Sequence, residues 1–158
     1  MSPLPESPIQ DLYPDDFAHC FGCGRDNEHG HRLKSYVREE SVVVAHFTPE
    51  PHHMSVPGFV YGGLLASLAD CHAMATAAAA EMAGAPNASE GPAPRYVTAA
   101  LHVDYLKPTP LGVELEIAGQ LKEQSERKKV IAVTISAQGV ITVRAEAVAV
   151  RIPKSMAR

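Results

Sequence analysis

The chain has 158 residues, 46% of them hydrophobic, with 18 acidic residues against 14 Lys and Arg and a formal net charge of −4. That length suits one domain with a single core, and that charge gives no basis for nucleic-acid binding. No apolar run reads as a membrane span, and residues 1–16 lack the charged start and apolar centre of a signal peptide. The expectation is therefore a cytoplasmic protein with neither membrane nor nucleic-acid partners.

Pro3, Pro5, Pro8 and Pro14 make residues 1–18 an extended arm. The main domain is expected over 19–153, with 154–158 as a short tail. Cys20 and Cys23 open that domain at the spacing of a zinc knuckle, and His29 and His31 are the residues that would complete four ligands. A two-residue His spacing is tight for one tetrahedral ion and no second Cys pair follows, so no metal is expected. A disulfide is not expected in a reducing compartment either. The segment reads as a turn-rich knuckle bent at Gly22, Gly24 and Gly30, with both thiols partly buried. Cys71, further on, reads as a small core residue.

Leu33–Val37 and Val42–Phe47 read as two strands joined by a polar turn at residues 38–41. A loop from Thr48 to Pro57 carries His52 and His53. From Leu64 to Ala83 the chain has neither Pro nor Gly and is rich in Ala and Leu, which predicts a helix. Leu64, Leu65, Leu68 and Ala75 fall on one side, and Gly63, Ala66, Ser67, Ala73 and Ala77 near Asp70 on the other. Between Glu50 and Glu81, Asp70 is the sole Asp, Glu, Lys or Arg. Either it points outward from a half-exposed helix, or it faces a wet crevice and does chemistry there. Gly62-Gly63 leaves the first helical N–H groups uncovered at the positive end of the dipole, where they serve close packing or hold an anion.

Residues 84–94 are a Pro/Gly/Ala/Ser loop, read as a connection or a flap. Four strands follow. Val97–Tyr105 and Val113–Ala118 alternate, and Val130–Ser136 and Val140–Ile152 turn at Gln138-Gly139. On the last strand Ala145, Ala147 and Ala149 share a face, on which a helix can sit close. Two strands, one apolar helix and four strands predict an α+β fold with an antiparallel sheet curled around a central helix.

At this point the chain resembles a hot-dog-fold acyl-CoA thioesterase of the phenylacetate-pathway and 4-hydroxybenzoyl-CoA type. It is similar to a branch marked by C-x-G-C-G-x-x-N-x-x-G, present as Cys20, Gly22, Cys23, Gly24, Asn27 and Gly30. The family's H-G-G and later carboxylate appear as Tyr61-Gly62-Gly63 and Asp70, with Tyr61 where the family usually has His. Val103-Asp104-Tyr105-Leu106-Lys107-Pro108 and Arg127-Lys128 resemble its later motifs. The resemblance implies Asp70 as nucleophile or general base and the Gly62 N–H as oxyanion donor. It implies substrate contacts at Tyr61, Gly63, Ser55 and His53. Lys107, Arg127, Lys128 and Lys129 are candidates for the CoA phosphates, since cations near a strand end or turn can reach the pocket mouth, and Arg127-Lys128-Lys129 reads also as a solvated turn. No cofactor is implied.

The expected reaction is hydrolysis of a small or aromatic acyl-CoA. The alternatives are a non-catalytic acyl-CoA-binding protein and a dehydratase or hydratase using His53 or His72. Eight residues of helix separate Gly62 from Asp70 by roughly 12 Å, too far for both to act on one carbonyl. Two antiparallel helices across a two-fold axis would bring them together. A homodimer with shared sites, assembled as a dimer of dimers, is therefore expected.

Overall fold

The computed structural model describes residues 3–39, 41–86 and 89–157. Glu40, in the expected turn, and Asn87 and Ala88, in the expected loop, lie outside the described residues. Six strands form one antiparallel sheet: β1 (Ser35–Val37), β2 (Val42–Phe47), β3 (Tyr96–Tyr105), β4 (Leu115–Gln124), β5 (Lys128–Ala137) and β6 (Val140–Arg151), in the order β1-β2-β4-β5-β6-β3. The helix α1 (Gly62–Met82) lies in the curl of the sheet and touches every strand. The sheet curls around the helix as the order of elements predicts, and this is the hot-dog arrangement that the resemblance implies.

Side-chain size explains the closeness of helix and sheet. Ala145, Ala147 and Ala149 all face inward, and Ala73, Ala75, Ala77 and Ala78 meet the sheet from the helix with no exposed surface. A Cβ on Gly119 of β4 would stand 2.3 Å from the Thr76 hydroxyl, so this contact admits no side chain. Ile117, Ile131, Ile135 and Val143 fill the wider space and are fully buried. Each buried aliphatic chain contributes about 1.5–3 kcal/mol.

Several boundaries differ from the sequence reading. β4 begins at Leu115 and runs to Gln124 because Leu111–Val113 is a turn with Gly112 at φ +82°. β1 keeps only Ser35–Val37. Ala73 and Ala77 are buried, so the open strip of α1 around Asp70 is Gly62, Gly63, Ala66, Ser67 and Asp70. By length and composition α1 is also apolar enough to cross a membrane, contrary to expectation, but 72% of that window is buried inside the protein. It is the core of this fold.

The arm is no free extension. Two short 3-10 turns, Ile9–Leu12 and Asp15–Phe17, interrupt it, and Ile9, Gln10, Tyr13 and Ala18 are buried. Gln10 explains the attachment. Its Nε2 donates to Ser35 Oγ at 2.9 Å, and its Oε1 accepts the Ser35 N–H at 2.8 Å. Ser35 Oγ meets His72 Nδ1 at 2.8 Å, while His72 Nε2 meets the Val43 carbonyl at 2.8 Å. A carbonyl only accepts, so Nε2 carries the proton and Nδ1 accepts from the serine. Arm, β1, β2 and α1 thus share one satisfied polar network. A boundary after residue 18 does not separate the arm from the core.

Candidate active site

The start of α1 is held by the loop before it. Glu50 and His53 exchange capping bonds, the Glu50 N–H donating to His53 Nδ1 at 2.9 Å. Bridges between Met54 and Val60 and between Phe59 and Pro110 fold residues 54–60 back on themselves. The Tyr61 N–H then donates to the His53 carbonyl at 2.8 Å, which sets the helix entry. Leu64 and Leu65 donate to the Tyr61 carbonyl at 3.1 and 3.3 Å. The N–H groups of Gly62 and Gly63 precede that ladder and have no protein partner among the described residues. They sit at the positive end of the helix dipole.

Two aromatic rings frame these groups. The Tyr61 ring lies over Gly63, where a Cβ would come within 2.3 Å of Tyr61 Cε2. Tyr105 donates its hydroxyl to the Gly62 carbonyl at 2.8 Å, tying the end of β3 to the helix start. Two turns on, Asp70 Oδ1 accepts a hydrogen bond from the Thr98 hydroxyl on β3. The carboxylate is half-exposed within the strip of Gly63, Ala66 and Ser67. Of the two sequence readings, the helix as a whole is buried while this strip stays open.

Tyr61, Gly63, Leu64 and Ser67 line a cleft of about 260 Å³ together with His53 and Met54. His31, His53 and Phe47 stack beside it at centroid separations of 5.5–5.8 Å. Burial and the neighbouring His52 lower the His31 and His53 pKa values, keeping this wall uncharged near neutrality. Ser55 is not among the cleft residues; its hydroxyl turns to the Val60 carbonyl at 3.5 Å. His72 is unavailable for proton transfer, since both ring nitrogens are bonded and burial lowers its pKa to about 4.

The basic residues separate. Lys107 donates its N–H to the Thr142 carbonyl at the start of β6, near the Gly62 end. Arg127 accepts from the Arg151 N–H at the far end of β6, with Lys128 beside it. Nine residues of strand span roughly 30 Å, so one chain does not gather these cations. Lys129 is buried, with its ammonium on Gln124 Oε1 at 2.8 Å. Sequence reasoning missed Thr98 and Tyr105, because no local spacing reveals what an outward β3 residue touches on α1. It also missed Phe21 and His31 on the cleft, which the knuckle delivers from thirty to forty residues upstream.

Residues 57–150 match the Thioesterase superfamily. The chain is 44% identical to a thioesterase superfamily protein from Shewanella loihica PV-4, with a TM-score of 0.66 over 89% of this chain and 100% of that one. It is 32% identical to the rat acyl-coenzyme A thioesterase THEM4 over 114 residues, which is 72% of this chain. The matched stretch spans less than half of that relative, 44% of its length. The smu.793 protein of Streptococcus mutans, solved bound to acetyl CoA, shares the fold at 21% identity and a TM-score of 0.60, covering 76% of this chain and 88% of that one.

Proposed function

The chain belongs to the thioesterase superfamily, and from that membership we propose that it hydrolyses a small or aromatic acyl-CoA to the free acid and CoA. The observation that carries the reading is the pair of unpartnered N–H groups at Gly62 and Gly63, with a Thr98-bonded carboxylate eight residues along the same open strip. The acetyl-CoA complex on the same fold and the acyl-CoA thioesterase relative support a CoA ester as substrate.

The thioester carbonyl oxygen is taken by the Gly62 N–H, where backbone donors already point and need no reorganisation. Asp70 either attacks the carbonyl carbon, giving an anhydride that water then opens, or takes a proton from the attacking water. The Thr98 hydroxyl fixes one carboxylate oxygen and leaves the other for this work. The departing thiol has a pKa of about 8.5, so the C–S bond breaks without a strong acid.

Within one chain the two groups are roughly 12 Å apart on a single helix. The site is therefore shared. Gly62 touches Tyr105, and Asp70 touches Thr98, so both ends of the problem lie along β3. That strand is one of the two edges of the sheet, with Leu101 and Tyr105 36% and 52% exposed. Long exposed edges are ordinarily covered. A two-fold axis near Ala66 and the Leu101–His102 step sets each Gly62 against the partner's Asp70. It also carries the partner's Arg127 and Lys128 toward the Lys107 end, where the CoA phosphates would lie.

Thiol release over a series of short, long and aromatic acyl-CoAs tests the reading, alongside solution mass. Release from at least one ester by a dimer or dimer of dimers supports it. CoA-ester binding with no thiol released from any of them refutes hydrolysis.

A further inference from the structure

The chain has three cysteines, and all three converge. Cys20 and Cys23 come from the knuckle and Cys71 from α1, next to Asp70, and their sulfurs lie within 4.8 Å of one another. Cys20 Sγ and Cys71 Sγ are 3.8 Å apart. Gly22 permits the meeting, since a Cβ there would stand 2.3 Å from Cys71 Sγ. We propose that Cys20, Cys23 and Cys71 form a binding site for one thiophilic metal ion of the zinc class, clamping the knuckle to the helix beside Asp70.

Three observations carry this beyond simple proximity. The first is the spacing. Zinc–thiolate bonds of about 2.3 Å put sulfurs about 3.8 Å apart around a tetrahedral ion, so the observed sulfurs need little movement. The second is Arg95, which is half-buried, lines one cleft with Cys20 and has no carboxylate partner among the described residues. Three thiolates around a divalent ion carry one net negative charge, which matches that one guanidinium. The third is the Tyr13 hydroxyl. It is buried with no hydrogen-bond partner among the described residues, and its ring lies 5.1 Å from the Arg95 guanidinium.

A divalent ion binds the three cysteines as thiolates and releases the protons they carried. Entry is open through a surface cleft of about 580 Å³ that Cys20, His19, Asp16 and Arg95 help to line. The metal-free reading of the sequence weighed His29 and His31 as completing ligands. His29 instead sits exposed beside Glu28, and His31 stacks on Phe21 and Phe47.

The test uses the reduced, chelator-stripped, full-length protein. Cobalt(II) is titrated anaerobically, zinc is then added, and thiol reactivity toward a chromogenic disulfide is followed with and without zinc. Thiolate-to-cobalt charge-transfer absorption is expected to saturate at one ion per chain and to vanish as zinc displaces cobalt. Zinc should also slow the reaction of all three thiols. Cys71→Ala should weaken cobalt binding by more than the roughly 100-fold that outer-shell losses reach. No charge-transfer absorption together with unchanged thiol reactivity overturns the site, and neither measurement on the parent protein depends on a variant folding. Isolation of the chain with a disulfide among these cysteines and no metal overturns it as well.

Discussion

Replacing Gly62 by proline deletes the N–H assigned to the oxyanion and changes little else. Gly62 is the first helical residue, where proline is well tolerated because its missing N–H has no helical partner. Tyr61 has φ −60° and ψ 128°, the extended conformation that a residue before proline requires. A Cβ at position 62 would meet the Tyr105 ring at 3.4 Å, which is close contact without overlap. Stability should therefore stay within about 1 kcal/mol of the parent, the scale of glycine-to-proline changes at compatible sites. Activity should not. Losing one oxyanion donor costs about 2.7–4 kcal/mol, or roughly 10²- to 10³-fold in kcat. The neighbouring Gly63 N–H places the loss toward the lower end. Thiol release at saturating substrate measures kcat, and helicity and thermal unfolding confirm the fold. Gly62→Ala, which keeps the N–H, is the control and should retain most activity. A folded proline variant with the parent kcat would refute the oxyanion assignment.

Thr98→Val should lower kcat about tenfold or more with KM nearly unchanged, as expected for losing a hydrogen bond to a charged group, and Thr98→Ser should restore it. A change confined to KM would remove Thr98 from the orientation of Asp70. Tyr61→Phe should lose part of the activity and Tyr61→His retain it; unchanged kinetics for Tyr61→Phe would show that the phenol hydroxyl takes no part. His72 is neutral in the fold, with its pKa lowered to about 4 by burial, against about 6.5 when unfolded. The unfolded chain binds the extra proton, so this contribution is complete above pH 6.5 and about 3 kcal/mol is lost as pH falls toward 4. Denaturant unfolding of the parent and of His72→Gln across that window should differ by that slope, and equal slopes would contradict it.

Much of the fold could be read locally. The strands alternate over their own few residues, Gln138-Gly139 turns at φ +51° and +79°, and the helix follows from composition alone. Asp70 stood out because charge is scarce around it. What stayed hidden depends on partners far along the chain. Gln10 looks like an arm residue until Ser35 and His72 supply its buried bonds. Cys71 looks like core filler until the knuckle, about fifty residues earlier, arrives against it. Lys107 and Arg127 look like one phosphate cluster until the sheet register sends them to opposite ends of β6. Thr98 was simply the polar half of an alternating strand.

Sharing of the site between subunits is tested most directly by mixing two inactive chains. Asp70→Asn and Gly62→Pro proteins, each nearly dead alone, are unfolded together and refolded, and mixed dimers are counted by mass. Each mixed dimer joins an intact Gly62 from one subunit to an intact Asp70 from the other, and gathers both defects in its second site. Random pairing makes half of the dimers mixed, so recovery of roughly one quarter of the parent activity is expected. Mixed dimers that form in that proportion and stay inactive would contradict the shared site.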